Sequence, residues 1–98
     1  MPRVLNFHRY KRVRLPSGAV YIGRANPTYG LPASKWANKF MIGRDGERAE
    51  VIENYERWLR GERPDLMAAL PELRGKDLMC WCAPEACHGD VLLRLANG

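Results

Sequence analysis

The side chains most able to do chemistry lie in one short stretch, Cys80-Trp81-Cys82-Ala83-Pro84-Glu85-Ala86-Cys87-His88-Gly89-Asp90. On a strand, Cys80 and Cys82 share one face while Trp81 takes the other. Cys87 and His88 then fall in the first turn of a helix, and strand ends and helix starts are where α/β folds gather ligands. Three readings are open. In the first, Cys80, Cys82, Cys87 and His88 form a zinc set of three thiolates and an imidazole. Adjacent helical residues diverge by about 100°, so Cys87 and His88 meet one ion awkwardly, and His8 is an alternative fourth ligand. In the second, the site is metal-free: Cys87, its pKa lowered at a helix N-terminus, acts as nucleophile or anion binder, and His88 and Asp90 move protons. In the third, the cysteines pack as small apolar residues, Asp90 caps the helix and a backbone carbonyl satisfies His88.

The elements that must position this group are legible in outline. Val4-Leu5-Asn6-Phe7 and Ala19-Val20-Tyr21-Ile22 read as short strands, separated by a basic stretch and a Pro16-Ser17-Gly18 turn. Residues 23–37, with Pro27, Gly30 and Pro32, read as a long loop, and loops of that length in small domains usually serve function. Lys39–Ile42 reads as a further extended segment. A helix is expected from an Asp45 N-cap, with Val51, Ile52, Tyr55, Trp58 and Leu59 on one face and a stop at Gly61. Pro64 opens a second helix that ends before Pro71 and buries Leu66 and Leu70. After a Gly75-Lys76 turn, Asp77–Cys82 reads as a buried strand, and a last helix spans roughly Ala86 to Ala96 with Val91, Leu92 and Leu95 inward. Trp58 and Trp81 read as core. This order predicts one α/β domain over residues 1–98, a small Rossmann-like layer fold with a short central sheet and about three helices.

Charge points to the partner. Residues 1–44 carry nine basic side chains and no acid, while residues 45–98 carry seven basic and eleven acidic ones, for a net charge of +5. A solvated basic face is one account of that asymmetry; a phosphate-bearing ligand, nucleotide or nucleic acid, is the other, and the interleaved aromatics suit base stacking. Arg24 beside Gly23 at a strand end, Trp36 and Asn38 in the long loop, and Arg48, a cation at a helix start that opposes the dipole, are the candidate substrate-binding residues. The 46% apolar and 28% charged composition is that of a globular domain, without an apolar run of the ~18 residues a membrane span needs or a secretory-type start. Three clustered cysteines make a poor disulfide framework and suit a reducing, cytoplasmic setting.

Taken together, Tyr21-Ile22-Gly23-Arg24, Ser34-Lys35-Trp36-Ala37-Asn38-Lys39-Phe40, Gly46-Glu47-Arg48 with Tyr55, Leu73–Leu78 and the Cys80–Asp90 signature resemble the family called domain of unknown function 4326, found in bacteria and phages. The likeness spans nearly the whole chain. It departs at Lys39, where family members tend to have proline. The phage association favours a nucleotide or nucleic-acid partner, by analogy. The leading expectation is therefore a nucleotide- or nucleic-acid-directed pocket, with enzymatic action on a base or glycosidic bond through Cys87, His88 and Asp90. The rival is a non-catalytic, zinc-stabilised module that docks on nucleic acid or a host protein.

Overall fold

The computed structural model describes residues 2–10, 18–82 and 85–98. Lys11, Arg12 and Arg14, the Pro16-Ser17 part of the expected turn, and Ala83-Pro84 lie outside the described residues.

Three short strands, β1 (Val4–Asn6), β2 (Val20–Tyr21) and β3 (Leu78–Cys80), form a parallel sheet in the order β1-β3-β2. β3 pairs on both edges, Val4 opposite Leu78 on one side and Val20 opposite Leu78 on the other. It is buried at all three residues, as a central parallel strand must be. Three helices follow the expected order: α1 (Arg48–Glu62), α2 (Pro64–Ala69) and α3 (His88–Asn97). The expected small α/β domain, with a short central sheet and three helices, is what the chain forms.

Alternation along the strands sorts side chains to two faces. Val4, Val20, Ile22, Leu78, Cys80 and Cys82 join the cluster built by the helices, centred on Tyr55, Leu59, Leu66, Leu73 and Leu92. Leu5, Phe7 and Met79 form a smaller cluster on the opposite face, against Tyr10, Leu31 and Trp81. Tyr55 is fully buried, and its hydroxyl donates to the Trp36 carbonyl oxygen at 2.7 Å, which fixes the end of the long loop onto α1.

Several boundaries differ from the sequence reading. α1 begins at Arg48, not at Asp45: Glu47 and Glu50 form a reciprocal capping box. Asp45 instead accepts from the Met41 N–H and from Arg44 in the preceding turn. Gly61 is helical; the chain leaves α1 at Arg63, immediately before Pro64, whose ring starts α2. Lys39–Ile42 forms no strand, because residues 39–42 find no ladder partner and Met41 bonds the Asp45 turn instead. In α3 the fully inward residues are Val91, Leu92 and Ala96, with Leu95 half-buried.

α3 meets the sheet so closely that only glycine fits at its second residue. A Cβ on Gly89 would lie 2.8 Å from Cγ2 of Val4 and 2.9 Å from Cδ1 of Ile22. Gly61, by contrast, faces open space in a helical backbone. Gly89→Ala is therefore expected to cost about 1–3 kcal/mol by overpacking, whereas Gly61→Ala should gain about 0.5–1 kcal/mol. Urea unfolding of both variants beside the parent checks the pair of signs.

Candidate functional site

The carboxyl ends of β2 and β3 and the N-termini of α1 and α3 converge on one cavity of about 340 Å³. That volume is at the lower end of small-molecule pockets. Its wall combines the apolar and aromatic groups of Tyr21, Phe40, Ile42, Val51, Ile52 and Trp81 with Arg24, Asn38, Arg48, His88 and all three cysteines. Among the described residues no carboxylate lines it.

Each polar group on the wall is held from behind. Arg24 donates from Nε to the Asn38 carbonyl at 3.1 Å and from Nη2 to the Phe40 carbonyl at 2.9 Å, which pins the loop across the cavity mouth. Asn38 is itself locked, with Oδ1 accepting from the Phe40 N–H and Nδ2 donating to the Val51 carbonyl. Arg48 reaches from the start of α1 to donate to the Ala86 carbonyl at 2.8 Å. It is a bridge between α1 and the β3–α3 connection. The Trp81 indole N–H donates to the Tyr21 hydroxyl at 3.0 Å, and that hydroxyl donates onward to the Arg24 carbonyl at 2.6 Å.

The three sulfurs form one cluster, all within 4.8 Å of one another. Cys80 and Cys87 are buried with their Sγ atoms 3.3 Å apart, and Cys82 is half-buried. Hydrogen bonds from the Cys80 and Cys87 thiols, reinforced by Arg48, hold the Cys82 thiol far below the ordinary range despite partial burial. The other two move the opposite way. Cys80 is raised chiefly by its bond to Cys82, and Cys87 by its bonds to Cys80 and Cys82 and by burial. In physical terms, charge on one sulfur disfavours charge on its neighbours, and the hydrogen bonds and Arg48 favour Cys82 as the site of the first deprotonation. Backbone N–H groups also point at the sulfurs, Cys82 N–H to Cys80 at 3.5 Å and Gly89 N–H to Cys87 at 3.3 Å. Three thiols so placed could hold a metal ion.

The residues nominated for catalysis sit together but are tied to structure. Cys87 is the N-cap of α3, and Asp90 returns the bond, its Oδ2 accepting from the Cys87 N–H at 3.0 Å. Asp90 does not line the cavity. His88 is buried, and its Nε2 lies 2.8 Å from the Ile22 carbonyl oxygen, so Nε2 carries the proton and donates. Burial lowers its pKa, and an edge contact with the Tyr55 ring holds it in place. His88 is not part of the sulfur cluster, and neither is His8, which is exposed in the turn after β1. Trp36 is a core residue, 2% exposed, and stays out of the cavity wall. Arg24, Asn38 and Arg48 are brought together there. Tyr21, one of the interleaved aromatics, is on the wall, whereas Phe40 and Ile42 belong to it but escaped the sequence reading, since each looks like an ordinary loop apolar residue.

Comparisons with known proteins show the family of the chain. The family described as Domain of unknown function (DUF4326) matches residues 5–98. The chain is 35% identical over 104 aligned positions to "Uncharacterized protein R718" of Acanthamoeba polyphaga mimivirus, covering 96% of this chain and 78% of that protein. It is also 35% identical over 66 positions to the "Uncharacterized 12.4 kDa protein in nrdA-td intergenic region" of Enterobacteria phage T4, covering 63% of this chain and 59% of the phage protein. No solved structure matches the chain. No helix among the described residues is long and apolar enough to cross a membrane.

The cap geometry separates a structural from a chemical Asp90. Asp90→Ala removes the acceptor for the Cys87 N–H and should cost about 1 kcal/mol, while Asp90→Asn keeps an acceptor and should cost a few tenths. Chemical denaturation of the two variants measures the difference; equal losses would remove the capping role.

Proposed function

This chain belongs to the DUF4326 family, and we propose that its cavity binds a nucleotide, with phosphate on Arg24 and Arg48 and the base against the aromatic wall. One observation carries the reading: the wall holds two guanidinium groups and no carboxylate among the described residues, beside the rings of Tyr21, Phe40 and Trp81. Each arginine uses only part of its five donors on backbone carbonyls, Nε and Nη2 in Arg24 and Nη1 in Arg48, so donors remain for an anion. The position beyond the carboxyl ends of parallel strands is the usual one for such ligands.

Turnover at the base or glycosidic bond belongs to the same reading. Of the groups nominated for it, His88 and Cys87 line the cavity, whereas Asp90 works from behind through the Cys87 N–H. Neutral His88, with its proton on Nε2, leaves Nδ1 as a base. A second reading is the zinc-stabilised binding module, favoured by the three clustered sulfurs.

Isothermal titration with nucleoside monophosphates, the matching nucleosides and short single-stranded oligonucleotides tests the proposal. Monophosphates should bind and nucleosides bind far more weakly. Arg48→Gln, which removes a charge-assisted contact of about 1.5–3 kcal/mol, should weaken monophosphate binding by roughly 10–100-fold. Tight oligonucleotide binding without monophosphate binding would move the assignment to the polymer. If none of the three binds at millimolar concentration, the nucleotide reading fails and the module reading stands.

A further inference from the structure

The sulfur cluster has a geometry that apolar packing of cysteines does not require. A tetrahedral zinc ion with Zn–S bonds of about 2.3 Å sets its sulfurs about 3.8 Å apart. The 3.3 Å between Cys80 and Cys87, and the 4.8 Å limit that encloses all three, bracket that value. The outer partners are also those of a metal thiolate site, because two backbone N–H groups point at Cys80 and Cys87. The fold places these ligands on different elements and brings their sulfurs back together: Cys80 ends the central strand, and Cys87 caps α3.

Among the described residues the cluster has no fourth protein ligand: no histidine, cysteine or carboxylate atom joins the three sulfurs. The nearest candidate in sequence, His88, has Nε2 engaged with the Ile22 carbonyl. All three cysteines line the cavity, so a ligand in it could reach an ion held by them. Structural zinc sites are closed with four protein ligands, while sites that act on a ligand keep one position open.

We propose that Cys80, Cys82 and Cys87 bind one zinc ion whose fourth position faces the cavity and takes water or a donor atom of the bound molecule. Charge is consistent with this. Three thiolates and one dication leave a net negative site, and Arg48, beside Cys82, offsets it. The preference for zinc follows from ligand softness, since sulfur donors disfavour magnesium and calcium. The proposal shares the cavity with the nucleotide reading but not its support, and the two can fail separately.

The test uses the full chain purified under reducing conditions and contains no nucleotide. Zinc per chain is measured by mass spectrometry of the metal, before and after chelator treatment, and the stripped protein is refilled with cobalt(II). We expect one zinc per chain, and a cobalt form with thiolate charge-transfer absorption and the visible bands of a tetrahedral ion. Adding imidazole or a small exogenous thiol should shift those visible bands, because the open position accepts them. Cys82→Ser, chosen because Cys82 is the least buried of the three, should weaken zinc binding by more than about 100-fold, beyond the loss expected for an outer partner. Its fold is checked by circular dichroism; if it does not fold, zinc titration of the stripped parent supplies the affinity. His88→Gln should keep the metal. Zinc well below one per chain, with the parent folded, overturns the site. Bound metal whose bands ignore added ligands, or metal lost in folded His88→Gln, overturns the open position.

Discussion

β3 is three residues long, yet the site depends on it. Because it is hydrogen-bonded along both edges, its direction and twist are fixed by β1 and β2 together. Its burial on both faces excludes water from those bonds. The strand therefore delivers Cys80 to one defined point, and the residues after it inherit that placement: Trp81 to one face, Cys82 to the other. α3 then returns directly over the sheet, with Gly89 allowing the close approach and Cys87 and Asp90 closing the helix start. Loss of pairing on either edge of β3 would blur the position of every sulfur at once.

Much of this was legible in the residues because it follows from local periodicity. The alternation Cys80-Trp81-Cys82 separated the faces correctly, and the spacing of Val51, Tyr55 and Leu59 marked the buried side of α1. Pro64 and Pro71 bounded the second helix for the steric reason that proline imposes. Misreadings arose where two local signals competed. Asp45 and Glu47 both suit a helix cap, and the choice was settled by Met41 and Arg44, which claim Asp45 from outside the helix. Gly61 resembled a stop, but a single glycine in a well-packed helix costs only about 1 kcal/mol, less than the burial of Leu59 returns.

The identity of long-range partners was not legible. Nothing around Arg48 announces that its guanidinium will meet the Ala86 carbonyl 38 residues away. Nothing near His88 names Ile22. Trp36 illustrates the converse: an aromatic among basic residues in a glycine- and proline-rich loop invites a binding role, yet the Tyr55 bond draws it into the core. A loop without periodicity can still be an internal wall when one residue anchors it.

Arg24 shows what such anchoring means for recognition. Its side chain is exposed but not free, since two carbonyls of the facing segment hold the guanidinium plane. Fixing a long side chain on binding ordinarily costs about 0.5–1.5 kcal/mol of rotamer freedom. Here that ordering is completed during folding, as it is for Asn38 and Arg48. An incoming anion would find a stiff, pre-aimed charge. For the ligand proposed above, selectivity would then be set by its shape more than by its ability to mould the site, and close analogues would be told apart by geometry before charge.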